Sequence, residues 1–291
     1  MASTKVLPAG GSTNTTTQFT TIKDLFEQID RTTGDVLTVQ GVSPKDFTEI
    51  EKEREARRRK FRFRRYQAES EILIIAIPTA AHEQLHHYLN IRIIIGIAGM
   101  GLEHDWRSSG STTFRPRGHP GGDGGEGDSS GCPISQRPGG QDWPTLVIEA
   151  GYSQSLEGLR ADMQWWFSAS NHQVKIVLLV KLDQSRGEII LEKWQEVSAP
   201  PPPRQGPITR AAAAATQLQP SRDQLIAITR APGITNTHPN RFNPTSYIVT
   251  SGALRLEFEH LFLRPPGPGE ADIIISMLQL QKFAENVWRV V

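Results

Sequence analysis

One acidic residue, Glu149, occupies a position in this 291-residue chain where α/β proteins often bind ligands. It ends a short apolar run, residues 145–148, and a Gly-Tyr-Ser turn follows it. Next come a helix with apolar residues at a 3.6-residue spacing and a second apolar run, residues 174–182. The pattern predicts a β-α-β unit with parallel neighbouring strands and Glu149 as a candidate site residue. A solvated acid, or an ion pair with Arg160, is the alternative.

Three histidines offer a second possible metal site. His82, His86 and His87 lie on a helix predicted for residues 80–95, which Thr79 can cap. The first two are spaced i, i+4 but lack a third matched ligand. The pattern therefore favours a solvated helix surface over a metal site.

Acidic and basic residues are each concentrated in one segment. Asp123, Glu126 and Asp128 lie in a Gly-rich loop, residues 117–141, and their spacing does not match an EF-hand calcium loop. Residues 51–65 hold nine Lys/Arg and three Glu, which is typical of a solvated helix or arm. Nucleic-acid binding or nuclear import is the functional alternative for this run.

Composition limits the class of protein. The net charge of +1 gives no overall attraction to nucleic acid or to an acidic membrane. A single cysteine, Cys132, excludes a disulfide framework and a Cys-based zinc site. No signal peptide or membrane-spanning run is visible, so we expect an intracellular protein, nuclear or cytoplasmic, with no membrane partner.

The chain is expected to divide into four segments. They are a polar tail and basic arm, largely disordered or in short helices (1–65), an α/β core (66–197), a low-complexity Pro/Ala insertion (198–222), and strands and a helix that complete the same domain (223–291). Within the core, residues 102–115 could form a hairpin between the first helix and the β-α-β unit.

The predicted order of helix, two or three strands, helix and strand resembles the core of the PD-(D/E)XK nuclease superfamily. More narrowly, it resembles a restriction-endonuclease-like family that is abundant in cyanobacteria and has divergent fungal members. The resemblance is carried by IPTAAHEQLHHYL, GSTTFRP, EGDSS and WPTLVIEAGYSQSLEGLRADMQWWF with the following VKIVLLVK. It implies an α/β fold with a restriction-endonuclease-like core (αβββαβ), a mixed sheet flanked by helices, and a disordered tail and insertions.

The resemblance also implies a site. In that family an Asp and a Glu bind Mg²⁺ or Mn²⁺, which activates water against a phosphodiester of DNA or RNA. The matching residues here are Asp128 and Glu149, with Glu83 on the first helix as a helper acid. The lysine that usually completes the site is replaced by Gly151, and Arg160 is the candidate surrogate.

Two functional hypotheses follow from these residues. The chain is either a Mg²⁺-dependent phosphodiesterase acting on nucleic acid, or a catalytically inactive member of the fold that serves as a nucleic-acid or protein interaction module. The intact Glu149 favours the first hypothesis, and Gly151 favours the second. If the turn tolerates a side chain, Gly151→Lys is expected to raise Mn²⁺-dependent cleavage.

Overall fold

The computed structural model describes residues 15–110, 112–116, 122–198, 218–235 and 237–291. These residues form a mixed α/β protein with three sheets. The helices are α1 (Ile22–Arg31), α2 (Pro44–Ala56), α3 (Ala80–Gly99), α4 (Leu156–Ala169), α5 (Phe258–Phe262) and α6 (Met277–Arg289). No helix in this part of the chain is long and apolar enough to cross a bilayer.

Thirteen strands lie within the described residues. They are β1 (Thr15–Gln18), β2 (Val36–Gln40), β3 (Arg62–Gln67), β4 (Ile72–Ala76), β5 (Trp106–Ser108), β6 (Ser129–Pro133), β7 (Leu146–Gly151), β8 (Ile176–Asp183), β9 (Glu188–Ser198), β10 (Leu218–Arg230), β11 (Tyr247–Val249), β12 (Leu254–Leu256) and β13 (Ile273–Ile275). The short strands β12 and β13 pair only with each other.

The largest sheet has the strand order β11-β10-β9-β8-β7-β6-β5. All neighbouring pairs in it are antiparallel except β7 and β8, which run parallel and are separated in sequence by α4. This confirms the prediction that the two apolar runs are parallel neighbours. The elements α3, β5, β6, β7, α4 and β8 follow one another along the chain.

The two faces of this sheet are covered by different helices. Ile148 and Leu178 pack with α3 and α6 on one face. Val147 and Leu179 pack with α4 on the other face. Because successive side chains of a strand alternate between faces, Glu149 lies on the α4 face with Val147.

The N-terminal part forms a second sheet, with the order β1-β2-β4-β3, and has its own apolar cluster with α1 and α2. Residues 15–65 are therefore folded, with the two short helices that were expected as the alternative to disorder and with strands that were not expected. Residues 1–14 lie outside the described residues. The alternating apolar residues of the segment 15–65 are buried in this cluster. Backbone hydrogen bonds join this sheet to the Gly-rich segment, including Tyr66 N to the Gly124 carbonyl at 2.7 Å.

Two other expectations need correction. Strand β5 pairs with β6 rather than with residues 111–115, because the Trp106 ring packs over Gly131 of β6. Residues 218–222 are not unstructured, since they begin β10 and pair with the end of β9. The rest of the Pro/Ala insertion, residues 199–217, lies outside the described residues.

Adding one methyl group at Gly131 of β6 tests its contact with Trp106 of β5. An alanine Cβ at position 131 would lie 2.6 Å from Trp106 Nε1 and 2.7 Å from Trp106 Cε2. We expect Gly131→Ala to lower the free energy of unfolding by about 1–3 kcal/mol, because the indole must shift. Urea denaturation measures this change. Gly140→Ala, with nothing within 4 Å of the added Cβ, is the control, and equal effects of the two substitutions would contradict the pairing.

Candidate functional site

Asp128 and Glu149 meet where β6 and β7 pair. Asp128 directly precedes β6, and its Oδ2 accepts a hydrogen bond of 2.8 Å from the backbone N–H of Ala150. Glu149 is completely buried, and its Oε1 accepts a hydrogen bond of 2.6 Å from Trp166 Nε1. The fold therefore brings together the two acids that the resemblance assigns to a metal ion.

An arginine from the N-terminal sheet lies between these two carboxyl groups. Arg64 of β3 has its Nη2 3.2 Å from Asp128 Oδ2 and its Nε 3.8 Å from Glu149 Oε2. The guanidinium also donates hydrogen bonds to the Ala150 carbonyl and to the Gln154 side chain. None of these three side chains is more than 1% exposed. A cation of the protein itself thus fills the position between the acids.

The environment gives the two acids different protonation states. Burial, and then the charge of Asp128, raises the pKa of Glu149 well above its ordinary value. Burial also opposes ionisation of Asp128, but the charges of His82 and Arg64 hold the pKa of this carboxyl well below its usual range. Asp128 is therefore the ionised partner of Arg64, whereas Glu149 favours its neutral form.

His82 is the second cation of the site. It is completely buried, which corrects the expectation of a solvated helix surface. Its Nε2 lies 3.0 Å from Asp128 Oδ1, and its Nδ1 lies 3.2 Å from Asp35 Oδ2. Burial alone would lower the pKa of His82, but the charge of Asp128 outweighs it and raises the pKa to about 9. His82 is therefore protonated at neutral pH.

The buried charges at the centre of the site cancel. Burial alone would raise the pKa of Asp35, but hydrogen bonds to His82 and Ser153 lower it to about 2. Asp35 and Asp128 then carry two negative charges, and Arg64 and His82 carry two positive charges. A buried cluster without net charge avoids the large desolvation free energy of an uncompensated ion.

Other arginines of the basic run also bind acids inside the protein. Arg65 Nη2 lies 3.2 Å from Asp162 Oδ1 on α4. Arg54 binds Glu126 through two hydrogen bonds of 2.7 and 2.8 Å. Residues 51–65 are thus not a solvated arm along their whole length. The Gly-rich segment is likewise not a free loop at Glu126, because that carboxylate neutralises Arg54.

The other two predicted site residues have different partners. Arg160 donates hydrogen bonds of 3.0 and 2.5 Å to the carboxylate of Glu192 on β9. Glu83 Oε1 lies 3.1 Å from Arg62 Nη1 and 3.3 Å from His86 Nε2. Arg160 is therefore held in an ion pair with Glu192, which Arg222 also contacts at 2.8 Å, whereas Glu83 lies beside the buried histidines. His82, Glu83 and His86 form a group whose ligand atoms all lie within 4.8 Å of one another.

Gly151 is too crowded to take the missing lysine. A Cβ at this position would lie 2.9 Å from Leu159 Cδ1 and 3.2 Å from the Gln154 carbonyl oxygen. The turn therefore does not meet the condition under which Gly151→Lys was expected to raise cleavage. Lys181 of β8 is the register partner of Gly151, and its Nζ donates to the Tyr152 carbonyl at 2.7 Å.

Sequence reasoning missed most partners of Asp128 and Glu149. One sequence pattern could have indicated Arg64 as a partner. Phe61 and Phe63 alternate with Arg62 and Arg64, which predicts a strand with its arginines on one face. If another layer of the protein covers that face, the arginines must pair with acids, because an unpaired buried charge is unfavourable. Asp35 had no comparable signal, because it lies 47 positions before its partner His82 and contacts it only in the folded protein.

No protein-family model matches the chain, and no curated protein matches it. The class of this protein is therefore described by its fold and by the geometry of the site. It is a mixed α/β protein in which a buried, charge-balanced cluster joins two sheets.

The protonation of His82 predicts how stability depends on pH. In metal-free protein, which a chelator maintains, the pKa of His82 is about 9 in the folded state and 6.5 in the unfolded state. The stability that the His82 proton contributes is fully present below pH 6.5 and is lost as the pH rises through 9. We expect the free energy of unfolding to fall by about 3 kcal/mol over that interval.

Urea denaturation between pH 6 and pH 9.5 measures this loss. His82→Gln should remove most of the slope, whereas His104→Gln, at a highly exposed position, should leave it unchanged. Parallel pH profiles for the parent protein and His82→Gln would contradict the protonation state assigned to His82.

Proposed function

We propose that this chain is a nuclease-like nucleic-acid-binding module that does not cleave phosphodiesters. The observation that carries the proposal is the position of Arg64, whose guanidinium contacts both Asp128 and Glu149. The order of α3, three strands, α4 and β8 supports a nuclease-like architecture. The adjacent positions of Asp128 and Glu149 on neighbouring strands support the same relationship.

Three properties of the site oppose metal-dependent catalysis. Mg²⁺ prefers ionised oxygen ligands and keeps several of its waters, but Glu149 favours its neutral form and both acids are buried. The metal would also have to displace Arg64, leaving a cation in a buried environment. Finally, Gly151 supplies no lysine, and the guanidinium of Arg160 is held by Glu192 on β9. Loss of one electrostatic contact to a transition state commonly lowers a rate by about 10²–10³.

The surface that we assign to nucleic acid is the basic cluster, defined as Arg57, Arg58, Arg59 and Lys60 at the end of α2. Arg57 pairs with Glu53 at the surface, and Arg59 pairs with Asp30. Arg58 and Lys60 are exposed, and neither forms an ion pair with any described residue. Their charges are therefore available to phosphate groups.

Two cavities adjoin the basic cluster. One of about 700 Å³ is lined by four arginines, including Arg58 and Arg59, and by two glutamates, Glu51 and Glu55. The other, of about 400 Å³, is lined by Arg58, Arg59 and Lys60 together with Phe61. In each lining the cations outnumber the acids by two, and a surface with net positive charge can contact a nucleic-acid backbone without reading its sequence.

Binding and cleavage can be measured in the same samples. Labelled single-stranded DNA, RNA and a DNA duplex are titrated with the protein in Mg²⁺ or Mn²⁺, and the nucleic acids are then run on a denaturing gel. We expect salt-dependent binding and intact nucleic acid. Replacing Arg57, Arg58 and Lys60 by Gln should reduce the slope of log K against log salt by up to about 2–3, or about 0.7–0.9 for each lost phosphate contact.

A matched variant removes the same charge elsewhere. Lys23, Arg31 and Arg186 are all well exposed, so their triple replacement by Gln changes the net charge equally. Equal losses in both triple variants, or no binding at low salt, would contradict the assignment of the basic cluster. Metal-dependent cleavage that Glu149→Gln abolishes would instead support the phosphodiesterase, which the adjacency of Asp128 and Glu149 favours.

A further inference from the structure

We propose that His82, Glu83 and His86 bind a zinc ion, at a site distinct from the pair of acids around Arg64. The inference does not depend on nucleic-acid binding. It rests on three donor atoms that converge near the start of α3 and on the buried groups that hold them.

The helix places these residues together. Thr79 caps α3 by accepting a hydrogen bond from His82 N, so the first turn is fixed. His82 and His86 are then one turn apart on the same face of the helix. The spacing is H-E-x-x-H, in which two histidines bind zinc in many metalloproteases. This spacing was the sequence signal for the site.

The donor atoms have separations that suit a metal ion. His86 Nε2 lies 3.3 Å from Glu83 Oε1, and the ligand atoms of the three residues all lie within 4.8 Å of one another. Two donors at zinc-bonding distance on a tetrahedral ion are about 3.3 Å apart. An ion bound here takes the place of Arg62, whose Nη1 lies 3.1 Å from Glu83 Oε1. Arg62 is 18% exposed, so its guanidinium can move toward solvent.

Both ring nitrogens that face this point are buried and lack aligned hydrogen bonds. The side chains of His82 and His86 are 0% and 2% exposed, respectively. Nε2 of each ring has no partner with hydrogen-bond geometry among the described residues, although each lies near a carboxylate oxygen. Zinc would bind to the lone pair of each Nε2, so its binding releases the proton that His82 carries in the metal-free protein, and both buried nitrogens then have a partner.

The opposite nitrogen of each ring is held in place. His82 Nδ1 contacts Asp35 Oδ2 at 3.2 Å, and His86 Nδ1 contacts Ser129 Oγ at 2.8 Å. Histidines that bind metals usually have this arrangement, because the second hydrogen bond fixes the orientation of the ring. Asp128 Oδ1, 3.0 Å from His82 Nε2, is the nearest further oxygen to that ring nitrogen.

The donor set selects zinc over magnesium. Two imidazoles and a carboxylate suit Zn²⁺, whereas Mg²⁺ prefers oxygen ligands in an octahedral arrangement. The burial of both imidazoles also distinguishes the site from a peptidase centre, which must admit a peptide. Because all three ligands lie on α3, we assign the ion the role of stabilising the start of that helix, whose two histidines contact Asp128 and Ser129.

Zinc titration of chelator-treated full-length protein tests the proposal. We expect one Zn²⁺ per chain by calorimetry and elemental analysis, a rise in melting temperature, and no competition from millimolar Mg²⁺. Co²⁺ should give the visible absorption of a tetrahedral site. Ser129→Ala should weaken binding by about 10–100-fold, as loss of an outer hydrogen-bond partner does. His86→Asn should weaken it more.

His87 provides the matched control, because it is exposed on the same helix. His87→Asn should bind zinc like the parent protein. If His86→Asn does not fold, Glu83→Gln, at a half-exposed position, gives the same test. No stoichiometric binding, or equal affinity in the parent protein, His86→Asn and Glu83→Gln, would overturn the proposal. Failure of nucleic-acid binding would leave it intact, because the two readouts are independent.

Discussion

The ion pair between Arg64 and Asp128 is the interaction on which the rest of the site depends. It is buried, with Nη2 and Oδ2 3.2 Å apart. Attraction between the two charges offsets their desolvation only because further hydrogen bonds satisfy both groups. Ala150 supplies one such bond to each of them, as donor to Asp128 and acceptor from Arg64.

This pair also joins two layers of the protein. Arg64 belongs to the N-terminal sheet, whereas Asp128 precedes β6 of the large sheet. Arg54 and Arg65 make parallel connections to Glu126 and Asp162. The N-terminal part is therefore held to the rest of the protein by charge pairs as well as by backbone hydrogen bonds, and its arginines determine which acids outside it remain unpaired. Under the proposed function, these contacts hold Asp128 against Arg64 instead of against a magnesium ion.

The sequence predicted local structure better than long-range contacts. The parallel strands around α4 followed from two apolar runs and one helical stripe, which are local patterns. The Thr79 cap and the α3 start were predictable for the same reason. The pairing of β5 with β6 was not, because it depends on a Trp106–Gly131 contact between segments separated by a loop.

The candidate site was predictable only in part. Glu149 and Asp128 were identified, the first from its place at a strand end and the second from resemblance. Arg64 was not identified because it belongs to a basic run whose net charge predicted exposure to solvent. Composition does not reveal which arginines of such a run contact acids. His82 was underestimated because its partner Asp35 comes from a distant segment.

The most direct measurement is a double-mutant cycle between Arg64 and Asp128. The free energies of unfolding of Arg64→Met, Asp128→Asn and the double variant are compared with that of the parent protein by urea denaturation. The account predicts that each single substitution costs about 3–5 kcal/mol, because it leaves one buried charge uncompensated, and that the double variant loses much less than the sum. Additive losses, within about 0.5 kcal/mol, would show that the two groups do not act as a pair and would contradict the account.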